Sequence, residues 1–310
     1  MYCLRYWLLP AILIGVPLTS GGACGRSAPD PNGVVVVYSS RVAAYAEAVQ
    51  GIRSGMGGAS HAITLIELGA RSGEADLRQM LTQNSPRLVI AVGLNALNAL
   101  VAAKVEAPVL SAMTMRSEGA RAAVALRVAG AVYVDASPSG LLAEFKAAFP
   151  GKTRIGIIRN QSGKGPGESS WQALAKQGFT IRPVNCAGPK ELLKAFLSLK
   201  GKVDFVLCLP DGSLYNNATV KPLILASLKN RLPIIGFSAS FVRAGAAVGV
   251  YPDFRDLGRQ TAEAARRYLA GQAAIGDLSP RKLKVGVNQR VLRLIGLNYK
   301  PTRSDVETFR

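Results

Sequence analysis

The sequence predicts an α/β protein of two lobes, each built on a doubly wound parallel sheet and joined by hinge crossings. Three observations lead there. Short, continuous apolar runs alternate with helix-periodic segments, the pattern of strands covered on both faces. That rhythm runs once, falters near residue 132 and starts again. The 310 residues suit two cores of roughly 100–150 residues better than one.

Taken in order, the β-branched run Val34-Val35-Val36-Val37-Tyr38, bounded by Gly33 and Ser39, reads as a buried strand. A helix over 42–52 follows, then strand 63–68, helix 74–81, strand 88–92, helix 95–104 and strand 108–113. Residues 116–131 are rich in Ala and Arg and only weakly periodic. The second unit has helices over 139–149, 169–177, 191–199 and 220–229, with strands over 154–159, 179–184, 204–209 and 233–237. A long amphipathic helix over 254–269 stops at Gly271, and a strand over 282–287 and a helix over 290–295 complete the chain. These last elements are too few for a third core, so they must pack on the earlier lobes. The expected divisions are a leader over 1–23, lobes over 33–131 and 132–250, a returning segment over 251–300, and a polar tail over 301–310.

The N-terminus has a leader's composition. Arg5 precedes an apolar run over 6–18, and no acid occurs before Asp30. That run is short for a permanent membrane span. Gly22-Ala23-Cys24 offers a lipid-attachment Cys at Cys24; cleavage after Ala23 by an ordinary signal peptidase is the alternative. The chain is therefore expected outside the cytoplasm, in the periplasm and anchored through Cys24.

The net charge is +19, from 38 Lys and Arg against 19 Asp and Glu. There is no run of five basic residues, and aromatics make up only 6%. Without a stacking platform a nucleic-acid partner is not expected, and the excess reads as a solvated basic surface, with attraction to an anionic membrane surface or an anionic ligand as the alternative.

Catalytic and cofactor signatures fail in turn. His61 is the single histidine, which excludes multi-histidine metal sites. Gly236-Phe237-Ser238-Ala239-Ser240 begins like a nucleophile elbow but ends in Ser. Gly151-Lys152-Thr153 lacks the upstream glycine of a phosphate loop and precedes a strand. In Gly163-Lys164-Gly165-Pro166-Gly167-Glu168, Glu168 stands where a dinucleotide loop has its last glycine. No enzyme activity, cofactor or metal is expected. Cys186 and Cys208 end strands that should flank a third, about 9–10 Å apart, too far for a disulfide; both read as buried free thiols.

In open parallel sheets ligands bind beyond the C-terminal strand ends. The residues there are Ser39, Ser40, Gly93, Asn95 and Thr114 in the first unit, and Asn160, Asp211, Ser213, Ser238 and Ser240 in the second. Helix N-termini at the same places add free N–H groups. Helix capping is the competing explanation for each Ser and Asn. Asp211, in the turn Leu209-Pro210-Asp211-Gly212-Ser213, is the most specific candidate, suited to a ligand amine or hydroxyl.

The second half carries a family resemblance. Phe205-Val206-Leu207-Cys208-Leu209-Pro210-Asp211, Leu232-Pro233-Ile234-Ile235-Gly236-Phe237-Ser238, Phe241-Val242-Arg243-Ala244-Gly245-Ala246 and Asp256-Leu257-Gly258-Arg259-Gln260-Thr261-Ala262 resemble the ABC transporter substrate-binding proteins that include tryptophan- and tyrosine-binding members. Val287-Asn288 and Ile295-Gly296-Leu297 resemble that family's closing motif. Where family members often carry Asp-Asn, this chain has Asp211-Gly212. The resemblance implies a type I periplasmic-binding fold, a small-molecule ligand held between two lobes, and an ABC permease as membrane partner for a monomeric receptor. An orphan or sensory module signalling to a membrane protein is the alternative.

Overall fold

Four consecutive valines start the architecture. In the computed structural model Val34 and Val36 point into one apolar cluster and Val35 and Val37 into another, so strand β1 (Val34–Tyr38) is covered by helices on both faces. The structure describes residues 33–39, 43–57, 63–69, 73–116, 119, 124–161, 168–299 and 306–310, with backbone only for 168–170. Cys24, Ser40 and His61 lie outside these residues, as does the leader.

The first sheet combines β1 with β2 (Ile63–Glu67), β3 (Leu88–Val92), β4 (Val109–Thr114), β5 (Val128–Tyr133) and β11 (Asp277–Leu278). Its order is β11-β5-β4-β3-β1-β2, parallel throughout. Helices α1 (Ala43–Met56), α2 (Glu74–Asn84) and α3 (Leu94–Ala102) connect its strands.

The second sheet repeats the plan. It holds β6 (Arg154–Asn160), β7 (Thr180–Cys186), β8 (Phe205–Leu207), β9 (Ile234–Gly236), β10 (Val248–Pro252), β12 (Leu283–Asn288) and β13 (Glu307–Phe309). The order is β13-β12-β10-β9-β8-β6-β7, so both sheets share the 2-1-3-4-5 arrangement of a doubly wound fold. β12 pairs antiparallel with β10 because the chain re-enters this sheet from the hinge end. Helices α4 (Pro138–Ala148), α5 (Glu168–Lys176), α6 (Leu192–Leu197), α7 (Val220–Asn230), α8 (Ala239–Ala244) and α10 (Gln289–Ile295) cover it. Cys186, the last residue of β7, and Cys208, just after β8, are buried free thiols, and their strands flank β6.

The chain passes between lobes three times: from β5 to α4, from β10 to α9 (Phe254–Leu269), and from β11 to β12. Helix α9 leaves the second sheet and packs along α1. Glycines make this close: a Cβ on Gly258 would run into the Ala48 carbonyl, and one on Gly51 into the Arg255 carbonyl. Asp253 caps α9 by accepting from the Asp256 N–H at 3.0 Å.

Five elements depart from the sequence expectation. The weakly periodic stretch ends in β5, so the first sheet continues to Tyr133, beyond the expected break. Residues 239–252 form α8 and β10, a strand whose Gly249 interrupts its apolar pattern. The short β11 returns to the first sheet. The expected polar tail ends in β13, where Thr308 pairs with Val287.

Candidate functional site

The C-terminal ends of both sheets face one cleft. A cavity of about 320 Å³ there is lined from the first lobe by Ala44 and Tyr45 of α1, Leu94 of α3, and Met113, Thr114 and Met115 at the end of β4. The hinge contributes Val134, Ala136, Pro252 and Phe254. The second lobe adds Leu141, Val250, and Pro210, Phe237 and Ser238 from the β8 and β9 ends.

Local backbone explains several positions. Gly93 has φ +88° and sits under the Tyr45 ring, which a Cβ at this position would strike. Tyr45 is thereby laid across the α3 N-terminus. Met113 also has positive φ, +61°, at the register shift between Ala112 and Thr114. Such a conformation in a buried methionine is strained and turns its side chain out of the β4 alternation into the cleft. Thr114 is buried, and its hydroxyl lies 3.1 Å from that of Ser111. Ser238 caps α8, accepting from the Phe241 N–H at 3.2 Å. Behind it Phe237, Phe241 and Tyr215 pack ring on ring, with Phe237 and Phe241 centroids 5.1 Å apart.

Thus Thr114 and Ser238 reach the cavity wall, and Gly93 shapes it. Ser39 is buried at the end of β1, while Asn95 and Ser240 are exposed and outside the cavity lining. Asn160, Asp211 and Ser213 form a cluster of their own. One Asp211 carboxylate oxygen accepts from the Ser213 N–H at 2.9 Å, the Leu214 N–H at 3.3 Å and the Ser213 hydroxyl. The Asn160 amide donates to the Ser213 hydroxyl at 2.8 Å. Pro210, immediately before this turn, is the cavity residue.

The apolar lining is not marked by polar residues at strand ends, which are the signal the sequence carries for a ligand site. Leu94, Met113, Met115, Pro210 and Phe237 are chain neighbours of residues singled out there, so adjacency was the available signal. Tyr45, Val250 and Phe254 required the tertiary fold.

Charge stands at the hinge beside the cavity. The Arg116 N–H donates to Asp135 in the first crossing, and its guanidinium reaches Asp277 at 2.6 Å before the third. Arg116 also lies over the Tyr133 ring at 4.4 Å. Burial pushes the Asp135 carboxyl above its ordinary range, against the opposing pull of Arg116. Among the described residues no group of three His, Cys, Asp or Glu side chains could hold a metal ion, and no helix is long and apolar enough to cross a membrane.

Residues 34–295 match the family model described as ABC transporter substrate binding protein. No curated protein matches the chain significantly. Among solved structures, the ligand-free, open form of a Clostridium difficile substrate-binding protein with adhesive properties is 17% identical, with TM-score 0.67 over 90% of this chain and 99% of that one. An ABC domain from Streptococcus pneumoniae in complex with L-Trp is 18% identical, with TM-score 0.57 over 86% of this chain and 95% of that one. A conserved domain protein from Vibrio cholerae is 18% identical, with TM-score 0.59 over 90% and 100%. At such identities the likeness is one of fold. The family match spans both sheets except β13, and all three crossings, and the chain belongs to the ABC transporter substrate-binding proteins, the components that capture a small ligand between two lobes for an ABC-type uptake system.

Proposed function

We propose that this receptor takes a small solute with a largely apolar body and hands it to a membrane permease without transforming it. The observation that carries the reading is the lining itself. Aliphatic and aromatic side chains from both lobes and the hinge enclose the cavity, and the polar groups among them are the hydroxyls of Tyr45, Thr114 and Ser238. Few polar groups among many apolar ones is the usual make-up of a small-molecule site, with the hydroxyls setting orientation. The L-Trp held by the Streptococcus pneumoniae neighbour is a solute of this kind.

In this reading Thr114 and Ser238 bind the ligand from opposite lobes, and Gly93 positions Tyr45 over it. Asp211, Ser213 and Asn160 border the second-lobe wall, with Asp211 shaping the turn that presents Pro210. Ser39, Ser40, Asn95 and Ser240 belong to the same strand ends and become ligand contacts only on closure. The receptor acts as a monomer on the outer side of the cytoplasmic membrane, held through Cys24; Arg5 and the following apolar run support export.

Native mass spectrometry of protein purified from its own periplasm identifies the solute. Burying an aromatic side chain against a ligand contributes roughly 1.5–3 kcal/mol, so Phe237→Ala should weaken binding about ten- to a hundredfold. A charged, strongly hydrophilic solute, or an unchanged dissociation constant for Phe237→Ala, would refute the apolar cleft as the recognition surface.

A further inference from the structure

Helices α6 and α7 lie side by side on the outer face of the second sheet, and their outward surface combines exposed leucines with exposed lysines. On α7, Lys221, Leu225 and Lys229 recur every four residues and so form one stripe. Leu225 is 59% exposed. On α6, Leu193 and Leu197 form the parallel stripe, each 40% exposed, with Lys194 on the same helix and Lys190 just before its N-terminus. The two helices are tied at their C-terminal ends, where Lys200 donates to the Asn230 side chain at 2.9 Å. Beneath them Leu192, Phe196, Leu223 and Ile224 are buried in the core, so the exposed leucines are not the inner face of a helix lifted from the sheet.

The charge on this surface is one-sided. Lys190, Lys194, Lys221 and Lys229 are all exposed, and none forms an ion pair among the described residues. The acid on the same surface is Glu191, whose carboxylate accepts from the Ala187 N–H at 3.3 Å. A second copy of a chain with net charge +19 would meet this face with like charge. Duplex nucleic acid would satisfy the lysines but leave three leucines against phosphate. An anionic bilayer satisfies both: lysines meet the headgroups while leucines enter the acyl boundary.

We propose that the α6–α7 face docks this receptor on the anionic surface of a lipid bilayer. The face lies on the helical flank of the sheet and not at the strand ends that build the cleft, so the lobe can rest on lipid without its ligand site being covered. Docking of this kind is independent of which solute the cleft holds.

Vesicle flotation of the full chain tests this, using phosphatidylcholine vesicles with and without 30% phosphatidylglycerol. Each cation near an anionic surface strengthens binding about fivefold. Wild type should float with the anionic vesicles and lose binding as salt rises. Converting Lys190, Lys194, Lys221 and Lys229 to Glu should cost at least about a hundredfold. Converting Arg53, Lys104, Arg127 and Lys176 to Glu makes the same change in net charge elsewhere and should cost far less. Leu193→Ser, Leu197→Ser and Leu225→Ser together should weaken anionic-vesicle binding with little change in its salt dependence. Circular dichroism confirms folding of each variant. Equal losses from the two charge-reversal sets would overturn the proposal, because the effect would then be net charge. Insensitivity to both sets, as an N-terminal apolar segment acting alone would give, would also overturn it. So would equal affinity for a short DNA duplex or for polyglutamate that the leucine substitutions leave untouched, because the face would then be a general anion or acidic-protein dock.

Discussion

At Asp211 the residue type and its surroundings point to different roles. A lone carboxylate in a strand-end turn suits a ligand amine, yet one of its oxygens is occupied by the Ser213 and Leu214 N–H groups and the Ser213 hydroxyl. An asparagine oxygen accepts the same bonds and tolerates the same turn. Asp211→Asn is therefore expected to leave ligand affinity within about threefold, since a charge-assisted bond to ligand would be worth about tenfold or more. Asp211→Ala removes the acceptor, frees the turn carrying Pro210, and should weaken binding more than the Asn variant does. Calorimetry on the pair decides it; a tenfold or greater loss in Asp211→Asn would make the carboxylate a direct ligand partner.

Among the elements, α9 links sequence most directly to architecture. Its polar face carries Arg255, Arg259, Arg266 and Arg267, and its buried face Leu257, Ala262, Ala265 and Leu269. Amphipathicity alone would let it pack on either lobe. The choice is made by small residues: Gly51 and Gly55 on α1 meet Gly258 and Ala262 on α9, and the backbones approach too closely for larger side chains. At Gly258 the obstacle is the Ala48 backbone carbonyl, which cannot swing away as a side chain would. Gly258→Ala is expected to cost about 1–3 kcal/mol or more through overpacking, despite alanine's better helix propensity. Chemical denaturation followed by circular dichroism measures this. A stabilised variant would mean that the two helices shift apart freely.

For the whole molecule the hinge is where charges converge. Arg281, in the third crossing, bonds Asp256 at 3.0 Å just after the second, and Glu263 at 2.6 Å about two turns further along α9. Lys282 reaches Asp253 at 3.5 Å, and Arg259 reaches Asp256 at 3.3 Å. Burial pushes the Asp256 carboxyl up, but its bonds to Arg281 and Arg259 outweigh this and hold it below the usual range. The Arg281 bond likewise lowers Glu263. A carboxyl lowered on folding contributes stability that is complete above its unfolded value, near pH 4, and is lost as pH falls through the folded value. Arg281→Met should therefore destabilise the protein at neutral pH and move its acid-unfolding midpoint upward. Arg281 is 44% exposed, so solvent screening keeps the loss to about 1 kcal/mol. Thermal melts from pH 3 to pH 7 check this. Curves parallel to wild type across that range would show that the network adds nothing to hinge stability.

Both cores were legible in the sequence because a strand covered on two faces must be apolar at every position. Val34 to Val37 and Leu88 to Val92 announce themselves by composition alone, and the repeated strand-helix rhythm carries the two-lobe plan. Strands β5 and β10 were not legible, because alanines and glycines dilute their apolar signal until neighbouring strands supply the pairing. β13 was hidden by its polar composition: an edge strand needs backbone partners more than apolar side chains, and only β12 reveals them. At the site, Thr114, Ser238 and Gly93 followed from the rule that parallel sheets bind ligands at their strand ends. The apolar wall did not follow, since Tyr45, Val250 and Phe254 come together only when three crossings bring two sheets face to face. Periodicity is a local property of the chain, whereas a cavity is made by the packing of distant segments, which is why the sequence determined the lobes and the tertiary structure decided what the cleft presents to a ligand.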